Sequence, residues 1–320
     1  MKDQFQRIID YARISITDRC NLHCTYCRPD HAEKLSHEEI LRYEEILRLC
    51  KILTTLGIDK FKITGGEPFV RKGCADFIHE LKEMDGVSKV TVTTNAILLS
   101  RDLTKLAEAG IDGINVSLDF MDREKYRRIT GYDGYEQVMT AIKEAVSMGL
   151  NIKINAVLTD QTTMEDIQKF IDYIKEHKIC IRFIEQMPLG NRQITSSSIS
   201  RDEIRNNLKD QGMKFHKVKQ RMGNGPAVYE TIEGYQGMIG WIEALHGKFC
   251  DTCNRIRLTS TGGIKPCLYY EEADNIRDFL RNGSSDETIR QMLEEMIYKK
   301  PQAHHFEEKP SDSKMYTIGG

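Results

Sequence analysis

The chain has no excess of either charge, no long apolar run and no internal repeat, and each absence removes a class of protein. Forty-six Lys and Arg stand against 48 Asp and Glu, a formal charge of −2 over 320 residues. No global field therefore marks a nucleic-acid or membrane binder, and an anionic ligand must be met by local basic residues. The opening stretch, MKDQFQRIIDYARISITDRC, is charged throughout and contains neither a secretory core nor a membrane span, which predicts a cytoplasmic protein. No solenoid period is evident. At about one domain per 150 residues, the length predicts two structural units or one barrel with an extension.

Cysteine, by contrast, is plentiful. Nine cysteines in a cytosolic chain do not serve as disulfides, because thioredoxin and glutathione keep them reduced. Cys20, Cys24 and Cys27 form one group and Cys250, Cys253 and Cys267 another, while Cys50, Cys74 and Cys180 stand alone. The lone three read as ordinary buried thiols.

From residue 13 to 187 short β-branched runs alternate with longer amphipathic stretches. Six strands are expected at Arg13–Thr17, Lys60–Thr64, Lys89–Thr94, Gly113–Leu118, Asn151–Leu158 and Cys180–Glu185. The stretch from Ser36 to Gly57 reads as a helix, with the serine as cap and the glycine as stop. Right-handed crossovers make the strands parallel, and six units are too few for a closed eight-fold barrel. The predicted fold is α/β: a partial (β/α)6 TIM-like barrel over residues 1–190, then a C-terminal region over 191–320 that carries the second cysteine group. Its polar last stretch, from about Pro301, is expected to be extended and to gain order by docking. Chemistry on such a barrel sits at the C-terminal strand ends. Those ends carry Cys20, Gly65-Gly66-Glu67, Thr93-Thr94-Asn95, Ser117-Leu118-Asp119 and Glu185-Gln186-Met187.

CxxxCxxC just beyond the first strand lets three thiolates grip an iron–sulfur cubane and leave one iron open. The amino and carboxylate groups of S-adenosylmethionine could chelate that iron. Gly65-Gly66-Glu67-Pro68 would offer the cofactor bare backbone and one carboxylate. A zinc site is the alternative, with His23 or His31 as a fourth ligand. The second group again offers three thiolates, hence a second open cluster suited to a substrate nitrogen or oxygen. Arg255 and Arg257, two apart, face one way beside it and read as anion binders. Arg13 and Lys153 lie on barrel strands, where a charged side chain either snorkels outward or points into a polar lumen.

With RISITDRCNLHCTYC, TGGEP, TTN, INVSLD, RFIE, CDTCNRIRL, Cys267 and the final Gly-Gly in this order, the sequence resembles the radical S-adenosylmethionine superfamily and, within it, the GTP 3′,8-cyclase family. The resemblance implies two [4Fe–4S] clusters on the two cysteine groups. It implies S-adenosylmethionine contacts from Tyr26, Gly66, Ser117 and Met187. GTP contacts would come from Arg13, Lys62, Thr93, Lys153, Arg255, Ile256 and Arg257, with Lys60 and Arg182 as further triphosphate candidates. Arg13, Arg255, Arg257, Gly319 and Gly320 would serve catalysis, the last two by threading the tail into the site. A flavodoxin or ferredoxin as reductant, a cyclic pyranopterin monophosphate synthase downstream and a homodimer are further implications, with no nucleic-acid or membrane partner. Two departures from the family pattern stand out: Lys62 in place of arginine, and Ala96 in place of the glycine after TTN. Two rival readings are a radical enzyme that modifies peptides and a zinc-ribbon binding module.

Overall fold

The structure is a computed structural model that describes residues 1–27, 35–189, 199–220, 222–271 and 274–311. The expected strands appear as β1 (Tyr11–Ser15), β2 (Lys60–Thr64), β3 (Lys89–Thr94), β4 (Gly113–Ser117), β5 (Ile152–Leu158) and β6 (Cys180–Glu185). Helices α1 (Tyr43–Thr55), α2 (Cys74–Lys82), α3 (Leu103–Glu108), α4 (Arg123–Thr130), α5 (Tyr135–Ser147) and α6 (Met164–Glu176) fill the crossovers. After them come α7 (Arg201–Asp210), β7 (Phe215–Lys217), β8 (Val228–Ile232), β9 (Met238–Ile242), β10 (Arg255–Leu258), β11 (Gly263–Lys265), β12 (Asp274–Asn275), α8 (Arg277–Arg281) and α9 (Asp286–Tyr298).

Among the described residues the strands form one sheet, in the order β12-β11-β10-β1-β2-β3-β4-β5-β6-β9-β8-β7. The six barrel strands are parallel neighbours in chain order, as a partial barrel requires. Later residues lengthen the sheet at both edges: β10 pairs parallel with β1, and β9 pairs parallel with β6. A line drawn near residue 191 falls outside the described residues, and the C-terminal strands build two walls of the same lumen.

Strand alternation sorts the side chains. On β5, Ile152, Ile154, Ala156 and Leu158 are buried against the helices while Lys153, Asn155 and Val157 face the lumen. The helices cover the outer face, with Ile46, Leu49, Cys50 and Leu53 of α1 fully buried. Cys50, Cys74 and Cys180 are buried thiols.

Helix α1 starts six residues later than a Ser36 cap predicts, with Arg42 in the cap position. The Leu41 amide donates to Ser260 O at 2.8 Å, which draws the chain out of helical geometry, and Glu45 then reaches back to the Arg42 amide at 2.7 Å. Gly57 does end the helix, at φ +80°. β1 also begins two residues early, because Tyr11 and Ala12 find partners on β10 as well as β2.

Candidate active site

The loop after β1 carries Cys20, Cys24 and Cys27, all half-buried. It is strapped to the end of α4 through His23 N–H to Thr130 O and Thr25 N–H to Ile129 O, both at 3.0 Å. Its other support is the glycine pair after β2. A Cβ on Gly66 would lie 2.4 Å from the Arg19 carbonyl oxygen, so only glycine lets this turn press against the cysteine loop. The Leu22 amide and Asn95 Nδ2 donate to Cys20 Sγ at 3.4 and 3.8 Å. Donors of this kind suit a sulfur that ligates iron.

Glu67 does not offer its carboxylate to a ligand. It accepts from Thr94 Oγ1 and the Asn95 amide at 2.7 Å and from the Phe69 amide at 3.1 Å. The expected amine-binding carboxylate is instead a brace between β2 and β3, and burial raises it to about 7 against those three hydrogen bonds. Beside the loop lies a small pocket lined by Cys24, Tyr26, Asn95, Ser117, Asp119 and Tyr126 among others. The Tyr26 hydroxyl donates to Asp119 at 2.7 Å, and Asp119 also accepts the Val157 amide at 2.9 Å. Burial outweighs both bonds and lifts the Asp119 carboxyl to about 6. Tyr26 and Ser117 thus share one pocket with Cys24; Met187 is half-buried beyond β6 and lies outside its lining.

Deeper in the lumen, register places Arg257, Arg13 and Lys62 side by side on β10, β1 and β2. Lys153 and Arg182 face the same space from β5 and β6, and Arg255 stands one step from Arg257. Burial, then the neighbouring Arg182, Arg13 and Lys153, pushes Lys62 well below its ordinary value, and burial brings Arg13 down to about 10. Among the described residues no carboxylate forms an ion pair with Lys62, Lys153, Arg182 or Arg255. Thr93 Oγ1 and Asn155 Oδ1 are buried here without a partner. Such a lumen is built to receive an anion with many oxygens. Lys60 faces it from the N-terminal end of β2, held by Asp10 and Asp59. Ile256 does not: its side chain is 1% exposed in the core on the opposite face, so only its backbone is available to a ligand.

The second triad lies at the edge of this wall. Cys250 and Cys253 sit on one short turn, closed by Cys253 N–H to Cys250 O at 3.1 Å, and Cys267 follows β11. Burial pushes the Cys253 thiol up, but Arg255 and Lys300 outweigh it and bring it down to about 6. Among the described residues no three His, Cys, Asp or Glu side chains close on one point, the arrangement a single zinc ion would need.

Residues 14–174 match the radical SAM superfamily model, and residues 179–306 match Molybdenum Cofactor Synthesis C. A GTP 3′,8-cyclase of Thermodesulfovibrio yellowstonii is 41% identical, and one of Clostridium perfringens strain 13 is 38% identical, each over 100% of both chains. The chain belongs to the GTP 3′,8-cyclase family. Its fold is that of radical SAM enzymes: Streptococcus suis SuiB bound to S-adenosylmethionine superposes with a TM-score of 0.59 at 16% identity, over 93% of this chain and 71% of that one. As a family member it uses S-adenosylmethionine and iron–sulfur chemistry.

Lys265 and Arg7 at this cyclase-family site carry no motif that reveals them, and the INVSLD segment does not show what Asp119 holds. Asp119 holds Tyr26, and Lys265, 2% exposed, lies beside Arg257 in register. Arg7 donates to the carbonyls of Cys250, Gln302 and Pro301 at 2.9, 2.7 and 2.6 Å while paired with Asp3. For Lys265, only its parity with Cys267 could have pointed to it. Residues 301–311 dock as expected, through His304 on Ala244 O at 2.8 Å and Phe306 edge-on to Tyr269. His31, Gly319 and Gly320 lie outside the described residues. No helix of the described residues is long and apolar enough to cross a membrane.

Proposed function

We propose that this chain is a GTP 3′,8-cyclase holding one [4Fe–4S] cluster on Cys20, Cys24 and Cys27 and a second on Cys250, Cys253 and Cys267. The observation that carries the reading is the row Arg257, Arg13 and Lys62 across three adjacent strands, set between the two triads and facing Lys153 and Arg182. The donor sets fit: the first triad reaches the pocket of Tyr26, Ser117 and Asp119 through Cys24, and the second holds a thiol that its cations favour as thiolate.

When bound, the first cluster and S-adenosylmethionine supply a 5′-deoxyadenosyl radical. The overall change would be transfer of the C3′ hydrogen to 5′-deoxyadenosine and formation of a C3′–C8 bond, with one further electron from the reductant and a proton completing the purine, to give (8S)-3′,8-cyclo-7,8-dihydroguanosine 5′-triphosphate, the first step of molybdenum cofactor synthesis. The chain's own residues bind and orient. Gly66, Tyr26, Ser117 and Met187 hold S-adenosylmethionine, with Asp119 fixing the Tyr26 ring. Arg13, Lys62, Lys153, Arg255 and Arg257 neutralise the triphosphate, and Arg182, held by Asn115, adds a sixth charge. Lys62 gives the charge without an arginine's two-pronged grip. Lys153 at present donates to Met222 O, a carbonyl that a phosphate oxygen would replace. Thr93 contributes its partnerless hydroxyl, the backbone of Ile256 contacts the nucleotide, and Gly319 and Gly320 complete the site.

The same reading places the protein in the cytoplasm, with a flavodoxin or ferredoxin as electron donor and a cyclic pyranopterin monophosphate synthase acting on its product. A homodimer is compatible with it. The test is anaerobic: the protein reconstituted with iron and sulfide, given S-adenosylmethionine, dithionite and GTP, should yield 5′-deoxyadenosine and the cyclised triphosphate. Release of 5′-deoxyadenosine with GTP returned unchanged would refute the substrate.

A further inference from the structure

We propose that Lys300 is a positioning residue for the second cluster: its buried ammonium holds the turn before Cys267 and sets the field in which that cluster takes up an electron. The inference rests on the second cluster proposed above.

Lys300 follows α9 and is 2% exposed, among the largest side chains so deeply buried. Its Nζ donates to the carbonyl of Pro266, the residue before Cys267. Among the described residues no carboxylate pairs with it. Arg7, also buried beside it, is neutralised by Asp3 at 2.6 Å, and its guanidinium spans the carbonyls of Lys300, Pro301 and Cys250. One end of this pair therefore grips the Cys250 turn and the other the Cys267 turn. An ammonium buried without a counter-charge is costly, and it persists where an anion compensates it. Burial lowers the Lys300 ammonium from its ordinary value, the thiols of Cys253 and Cys267 oppose that and Arg7 and Arg255 add to it, so the anion that holds the charge is the three thiolates with their cluster. Hydrogen bonds and net charge around the sulfurs are what tune an iron–sulfur potential, so a fixed positive charge here holds it up.

The test uses the full chain carrying Cys24→Ala, reconstituted anaerobically so that only the second cluster gives a signal. Iron and sulfide content is measured first. About four irons per chain establish the second cluster, and none would overturn that reading and leave Lys300 without a role. Redox titration followed by electron paramagnetic resonance then compares Lys300 with Lys300→Gln and Lys300→Arg. Glutamine keeps a donor for Pro266 O and loses the charge. Lys300→Gln is expected to lower the midpoint potential by a tenfold shift of the one-electron equilibrium, about 59 mV, and Lys300→Arg to restore it. Loss of iron in the glutamine variant with retention in the arginine variant also supports the proposal. An unchanged potential in Lys300→Gln, or equal loss of iron in both variants, overturns it.

Discussion

The two cysteine triads use the same ligands in opposite fields. Cys24 is pushed well above its ordinary value by burial and then by the Asp119 carboxylate and its fellow thiols. Cys253, as deeply set, is brought down to about 6 by Arg255 and Lys300. Negative neighbours make a cluster harder to reduce and a stronger reductant, which suits cleavage of a sulfonium. Positive neighbours do the reverse and hold an anionic substrate. On the function proposed above, the triads would divide the labour through their surroundings and not through their ligands.

The largest expected effect comes from removing one thiol of each. Cys24→Ala should abolish both 5′-deoxyadenosine and cyclised nucleotide in the anaerobic assay. Cys253→Ala should still form 5′-deoxyadenosine and lose only the nucleotide product. If both variants lose both products alike, the division of labour is wrong. Next in size, the double change Arg255→Ala and Arg257→Ala should weaken GTP about 100-fold, near 3 kcal/mol for two charged hydrogen bonds, while calorimetry finds S-adenosylmethionine binding unaltered. Unaltered GTP affinity would remove the cationic wall from the substrate site.

Two smaller effects sharpen the account of the first triad, whose walls are made by scaffold residues. Glu67 titrates at about 7 in the folded protein against an ordinary 4.5. A raised carboxyl value means that the folded state favours the protonated form. Glu67 therefore contributes stability that is full below pH 4.5, falls as pH rises and is gone above about 7, a loss of about 3 kcal/mol. Denaturant midpoints between pH 4.5 and 8 should show this fall for the native chain, and Glu67→Gln should remove that part of the slope. Last, Ala96 is fully buried at φ +64°, a conformation that suits glycine. Ala96→Gly should stabilise by about 0.5 kcal/mol, a rise of about 1–2 °C in Tm by calorimetry; a lower Tm would mean that its methyl packs better than its backbone strains.

The sequence carried the barrel because that information is local. β2, β3 and β6 stand where alternation puts them, at Lys60–Thr64, Lys89–Thr94 and Cys180–Glu185. What it concealed is held by distant partners. The start of α1 depends on Ser260, and the Arg7 hub joins residues 243 and 293 positions away. Glu67 reads as a ligand from its motif, and only the neighbouring strand shows that Thr94 and Asn95 already occupy it. Ile256 shares a motif with Arg255 and Arg257 but points the other way, as strand parity requires.

The placement of β10 against β1 has a consequence for the newborn chain. Its first strand, Tyr11–Ser15, waits for residues 255–258 before one of its edges is covered. Contacts of such sequence separation form late. During synthesis the early strands meet first, so the loop that holds Cys20, Cys24 and Cys27 can assemble long before Arg255 and Arg257 exist. On the proposed function, an interrupted chain would carry the first cysteine loop open to water, with no cationic chamber beside it. Confinement of the reaction would, on that function, depend on a strand that is made about 240 residues after the one it covers.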